Sequence, residues 1–109
     1  MSMDAVFKAL ADSSRRALLD KLQARDGQTL SELTQGHGMT RQAVTKHLAI
    51  LEAANLVVTR KQGREKLHHL NPVPINEIAD RWIAKFERPR LRALADLKDR
   101  LETEGDSHE

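Results

Sequence analysis

Cysteine is absent from this 109-residue chain, which excludes disulfides and thiolate metal sites. Aromatic residues make up only 3%, one Trp and two Phe, so a core must be built mostly from Leu, Ala, Val and Ile. No apolar run approaches the ~18 residues that read as a membrane span, and no secretory leader opens the chain. The expectation is a cytoplasmic protein of one domain with no membrane partner. Also lacking are a Gly-rich phosphate loop, a nucleophile paired with a base, and two acids placed for a cleft. Catalysis is not expected, and no cofactor is implied. Ser13 and Ser14 read as helix caps rather than nucleophiles.

What is present is charge with a pattern. The net charge is only +2, yet the segment 41–70 carries six Lys/Arg against two acids, for +4, and the remainder sums to −2. Positive charge gathered on one segment is the electrostatic footprint of a nucleic-acid partner, although a solvated basic surface is the simpler reading.

The helices announce themselves by spacing. Residues 3–10 read as a short helix with Met3, Val6, Phe7 and Leu10 on one face. Asp12, Ser13 and Ser14 break it with capping chemistry, and residues 15–25 form a second helix with Leu18, Leu19 and Leu22 inward. Asp26-Gly27-Gln28 is a turn. Thr29-Leu30-Ser31-Glu32 is a capping box that starts a third helix ending near Gln35, and Gly36-His37-Gly38 is the next turn. Thr40 then caps a fourth helix whose Val44, Leu48 and Leu51 make one apolar stripe. Asn55 ends it, since Asn tolerates the left-handed conformation. Two short helices joined by a Gly-bearing turn are the helix-turn-helix pattern.

On the polar face of the Thr40 helix stand Arg41, Gln42, Thr45 and Lys46. These residue types hydrogen-bond base edges and phosphates, and the first turns of a recognition helix reach furthest into the major groove. A helix over 41–53 spans about 20 Å at ~1.5 Å per residue. Arg41 suits guanine and Gln42 suits adenine, each bidentate. Thr45 offers a methyl to thymine or a hydroxyl to phosphate, and Lys46 holds backbone.

Residues 56–60 are rich in β-branched side chains and read as a strand, 61–65 as a turn around Gly63, and 66–70 as the returning strand. A hairpin directly after a recognition helix is a wing. Lys61, Gln62, Arg64 and Lys66 suit phosphate or minor-groove contact. Pro72 and Pro74 close the hairpin. Ile75, Ile78, Ala79, Trp82, Ile83 and Phe86 then form an amphipathic stripe, Pro89 is expected to kink or break it, and Leu91, Leu94, Leu97 and Leu101 continue on a last helix. This stripe exceeds what so small a domain needs, so part of it is expected to pair with a second copy; the alternative is that it packs only on its own chain. The domain is read as residues 1–102, with 103–109 a polar, flexible tail. The fold class is mainly α with a small β-hairpin wing.

The chain resembles the ArsR/SmtB family of winged-helix bacterial repressors over roughly residues 3–86. The carriers are Phe7-Lys8-Ala9-Leu10-Ala11-Asp12 with Arg15-Arg16 and Leu18-Leu19, then Leu30-Ser31-Glu32-Leu33, then Val44-Thr45-Lys46-His47-Leu48 and Leu51 to Val57, and the wing 60–70. The resemblance implies a homodimer joined through its first and last helices, with Met3, Val6, Phe7, Ile78, Trp82, Ile83, Phe86 and Leu94 at the interface. It also implies an imperfect inverted-repeat operator, repression of transcription, and release from DNA when a signal arrives, whether a small-molecule inducer of unknown identity or a signal of another kind. Ser13 stands where the family usually has Pro, and Asn55 where it usually has Gly. Metal-sensing members carry Cys in the helix before recognition, where this chain has Thr29 and Ser31, or His and acids on the last helix, where residues 75–88 hold no His. No metal is expected at either site.

The five histidines do not assemble one. His68 and His69 are neighbours on a strand and point to opposite faces. His47 lies near the buried flank of the recognition helix, suited to a hydrogen bond or a phosphate. His37 lies in a turn and His108 in the tail. A site shared across two copies is the alternative. The rival to DNA binding as a whole is a winged-helix protein-interaction module, because fold alone does not decide function.

Overall fold

The computed structural model describes residues 3–36, 38–84 and 87–106. Its elements run α1 (Met3–Leu10), α2 (Ser13–Ala24), α3 (Leu30–Thr34), α4 (Arg41–Ala53), β1 (Val57–Gln62), β2 (Glu65–Leu70), α5 (Val73–Ala79), a π-helical turn (Asp80–Ala84) and α6 (Glu87–Asp106). The chain divides into two compact units, residues 1–74 and 75–109.

The starts of α2, α3 and α4 are capped by side chains, with one change from expectation: α2 begins at Ser13, so Asp12 is its cap and Ser13 and Ser14 lie in its first turn. Asp12 accepts from the N–H groups of Ser14 and Arg15 at 2.8 and 3.1 Å. Those bonds, that of Arg15 foremost, hold the Asp12 carboxyl below its usual range. Thr29 and Glu32 close the capping box on α3. Thr40 accepts from Ala43 N–H at 3.1 Å and opens α4. Asn55, at φ +62°, ends α4 in the left-handed conformation.

Glu32 accepts from the backbone N–H of Thr29, from Arg25 and from the Thr29 hydroxyl, which together lower its carboxyl from the ordinary 4.5 to about 2. A carboxylate depressed in the folded state adds stability above its unfolded value and loses it as the pH falls through the folded value. Urea midpoints of wild type and Glu32→Gln should therefore differ at pH 7 and converge between about pH 4.5 and 2. A gap that stays constant over that range would remove the charge of Glu32 as its cause.

The core is aliphatic, as the shortage of aromatics demands. Leu18, Leu19 and Leu22 of α2, Leu33 of α3, Val44, Leu48 and Leu51 of α4, and Leu56 and Val57 are all buried. On α1 the inward residues are Val6 and Ala9, while Phe7 is 45% exposed. The predicted α1 face is therefore rotated, with Ala9 in the place given to Phe7. Val6, expected at an interface with a second copy, lies in this chain's own core at 2% exposure and has no area left to offer one.

The two strands pair antiparallel, Val57 with Leu70 through Gln62 with Glu65. The turn between them is two residues, Gly63-Arg64, shorter than the five expected. Gly63 at φ +63°, followed by a residue of negative φ, is the pattern of a type II′ hairpin turn. An unexpected single rung joins this hairpin to the turn before α3. Gln28 N–H donates to His68 O at 3.1 Å and His68 N–H to Gln28 O at 2.8 Å. The buried Gln28 amide donates to Lys21 O and Arg25 O at 2.8 and 2.6 Å, satisfying carbonyls at the end of α2. Gly27 beside it is confined twice over: its φ is +73°, and a Cβ there would lie 3.1 Å from the His69 ring.

In the second unit, the stripe from Ile75 does not run as one α-helix. Pro74 sits in the first turn of α5, where its missing N–H costs nothing. Asp80–Ala84 then widens into a π-turn, which resets the spacing of Trp82 and Ile83. Pro89 lies in the first turn of α6, again a tolerated position. α6 continues to Asp106, so the polar segment read as tail from Thr103 is helical through Asp106; Thr103 Oγ1 donates to Asp99 O at 2.9 Å. Leu91, Leu94, Leu97 and Leu101 are all exposed along it. Phe86, His37 and His108 lie outside the described residues.

Candidate nucleic-acid interface

All nine side chains singled out for DNA contact are exposed: Thr40, Arg41, Gln42, Thr45 and Lys46 on α4 and its cap, and Lys61, Gln62, Arg64 and Lys66 on the hairpin. Four of them, Arg41, Thr45, Arg64 and Lys66, line one groove of about 490 Å³, with Ser31 of α3 and the buried Leu48 also on its walls. A second concavity of about 610 Å³ is lined, among the described residues, by Arg41, Gln42, Thr45 and Lys46. The first turns of α4 thus face one open surface.

Local bonds set several of these groups. Arg41 Nη1 donates to Ser31 Oγ at 3.1 Å, so the residue before the turn steadies the guanidinium after it. Thr45 Oγ1 donates to Arg41 O at 2.9 Å, which directs its hydroxyl back to the helix and leaves its methyl outward. Thr40 spends its oxygen on the cap. Lys66 stands 3.8 Å from Glu52, an exposed pair worth about 0–1 kcal/mol.

The hairpin register adds an electrostatic point. Lys61 lies directly opposite Lys66 across the strands, and like charges so placed are destabilising. A polyanion would relieve that repulsion. Arg64 occupies the turn itself, next to Gly63.

The sequence carried no sign of three further residues. Ser31 reads as part of a capping box, yet it holds Arg41. Glu52 puts an acid in the groove. Gln28 is buried and stitches hairpin to helix. Each acts through a partner 10 to 40 residues away, and such pairs leave no local pattern.

The histidines sort as their spacing implies. His68 is buried, with Nδ1 donating to Gln28 O at 2.9 Å. His69, on the opposite face, pairs with Asp26 Oδ2 at 2.8 Å. Burial alone would raise the Asp26 carboxyl, but His69 and the Leu70 N–H hold it lowered. Among the described residues, no three His, Asp or Glu side chains cluster as metal ligands. Nor, among them, is any helix long and apolar enough to cross a membrane.

The model of the helix-turn-helix domain family matches residues 10–60. The HTH-type transcriptional regulator YuzN of Bacillus subtilis is 42% identical over 86 residues, covering 73% of this chain and 94% of that protein. The arsenical resistance operon repressor of the same organism is 33% identical over 70 residues, 64% of this chain and 67% of that protein. Among solved structures, an ArsR-like transcriptional regulator from Rhodococcus sp. RHA1 superposes with a TM-score of 0.65 at 32% identity, covering 98% of this chain and 92% of that one. A homodimeric winged helix-turn-helix DNA-binding domain from Mycobacterium bovis superposes at 0.60 with 23% identity, over 74% and 81% of the two chains.

Proposed function

Because the chain belongs to the ArsR/SmtB family of winged helix-turn-helix regulators, and is a DNA-binding transcriptional regulator of the repressor type, we propose that it represses as a homodimer on an inverted-repeat operator. The observation that carries this reading is the open groove that Arg41 and Thr45 of α4 share with Arg64 and Lys66 of the hairpin, the other five side chains singled out being exposed as well.

Arg41 and Gln42 read base edges, Arg41 by a bidentate pair with guanine and Gln42 by one with adenine. Thr45 adds a methyl contact. Thr40, Lys46, Lys61, Gln62, Arg64 and Lys66 hold the sugar-phosphate backbone and set register. The second copy is supported by exposed apolar side chains, Phe7 on α1 and Trp82, Ile83 and Leu94 in the C-terminal helices, and by the homodimeric relative. Met3 and Ile78 are half-buried and contribute less. Two recognition helices would then stand about 34–36 Å apart, one turn of DNA. An inducer releases the DNA only through its greater affinity for a non-binding state.

The test is fluorescence anisotropy with DNA selected from a random pool by the wild-type protein, against a scrambled sequence, at several salt concentrations. Tight binding to the selected DNA alone, at two chains per site, is expected. Equal binding to both would reduce the interface to a basic surface. On the same assay, Lys61→Ala and Arg64→Ala should each weaken both DNAs alike and lower the salt slope by about one for each phosphate no longer neutralised. A wing variant that weakens only the selected sequence would move that residue into base readout.

A further inference from the structure

The C-terminal carbonyls of a helix have no N–H of their own turn to accept from. At the end of α1 they are met by two arginines of α2. Arg15 Nη2 donates to Lys8 O at 3.0 Å and Nε to Ala9 O at 2.8 Å, while Arg16 Nη1 donates to Leu10 O at 2.7 Å. Two donors of Arg15 are thereby fixed. Its third nitrogen, Nη1, faces Asp12 Oδ2 at 3.9 Å and reaches Nδ1 of His47 at 3.4 Å. The Arg15 side chain is only 14% exposed. A guanidinium can only donate, so in this contact His47 Nδ1 is the acceptor.

His47 belongs to α4, two residues after Thr45 and half-buried against the core side. We propose that Arg15 and His47 are positioning residues for DNA reading. Arg15, anchored on two backbone carbonyls, holds His47 and so sets the rotation of α4 about its own axis. That rotation decides where Arg41, Gln42 and Thr45 point. The apolar stripe of Val44, Leu48 and Leu51 keeps α4 on the core but constrains rotation weakly, because dispersion contacts are non-directional. A planar guanidinium bound at three points is directional. Sites of this kind fail when a group is misplaced by about 1 Å.

The inference rests on the assignment of Arg41 and Gln42 as base readers, and its test separates the two. Anisotropy on the selected and scrambled DNAs is measured for His47→Leu, His47→Asn, Arg15→Lys and the double variant Arg15→Lys/His47→Leu, with urea midpoints for each. His47→Leu should weaken the selected DNA about tenfold, the order of one hydrogen bond to a charged group, and leave scrambled DNA and the salt slope unchanged. His47→Asn, whose Oδ1 can accept in place of Nδ1, should stay within about threefold of wild type. Arg15→Lys cannot span both carbonyls and Nδ1, so it should weaken binding as much as His47→Leu, and the double variant no more than either.

Leu is the better helix former and more apolar, so a purely structural role would make His47→Leu the milder change. That order overturns the proposal. So do a salt slope lowered by about one in His47→Leu, which would put His47 on a phosphate, and losses that add in the double variant. Affinity losses that track the urea midpoints overturn it as well. Failure of the wild type to prefer its selected DNA would instead overturn the base-reading assignment.

Discussion

Gln42→Ala will lose its preference at one base pair of the selected DNA by about 1–3 kcal/mol, while binding to scrambled DNA is unchanged. Gln42 is the second residue of α4, exposed, and beside Arg41, whose guanidinium Ser31 steadies. Its amide offers one donor and one acceptor in a plane, the pattern that adenine N7 and N6 complement in the major groove. Truncation removes both bonds at once and leaves the backbone contacts of the wing intact. The measurement is anisotropy on a set of DNAs carrying each of the four bases at every position of the site. One position should become degenerate. A uniform loss at all positions would place Gln42 on the phosphate backbone.

Leu51→Ala will cost about 2–5 kcal/mol of folding stability, a large part of the ~5–15 kcal/mol that holds a domain of this size. Leu51 is completely buried, one of the largest side chains in a core that has no aromatic residue among the described ones to absorb the change. Its removal leaves a cavity under the recognition helix, and the surrounding leucines can fill it only in part. Urea unfolding should show a lower midpoint with an unchanged slope. A shift below about 1 kcal/mol would mean that α4 repacks freely on its neighbours.

The winged helix-turn-helix was legible because independent signals coincide on α4. Thr40 caps it, Val44, Leu48 and Leu51 line one face, Asn55 takes the left-handed end, and the polar side chains fall between. The capping box at Thr29 is equally local and equally plain. What escaped was set by distance or by degeneracy. α1 is barely two turns long, so Phe7 and Ala9 both fit beside Val6, and tertiary packing chose Ala9. The apolar spacing from Ile75 is the same whether or not one turn widens, so the π-turn at Asp80–Ala84 left no trace. The hairpin loop shortened to Gly63-Arg64 because Lys61, Gln62 and Glu65 can all join a ladder that their polarity disguises. At the site, all nine side chains were readable as types on exposed faces. Ser31 and Glu52 were not, since each matters through a residue on another element.

The rung between Gln28 and His68 bears on how portable the reading head is. Helix-turn-helix segments are tempting cassettes to cut from one protein and graft onto another, and the stretch matched by the family model, 10–60, looks like one. In this chain that excision would discard β2 and strand both backbone groups of Gln28, a residue only 3% exposed. With β2 gone those groups turn to water, and each backbone bond lost takes about 0.5–1.5 kcal/mol with it. The smallest transferable unit therefore extends to at least Leu70, and the wing travels with the head as part of its frame.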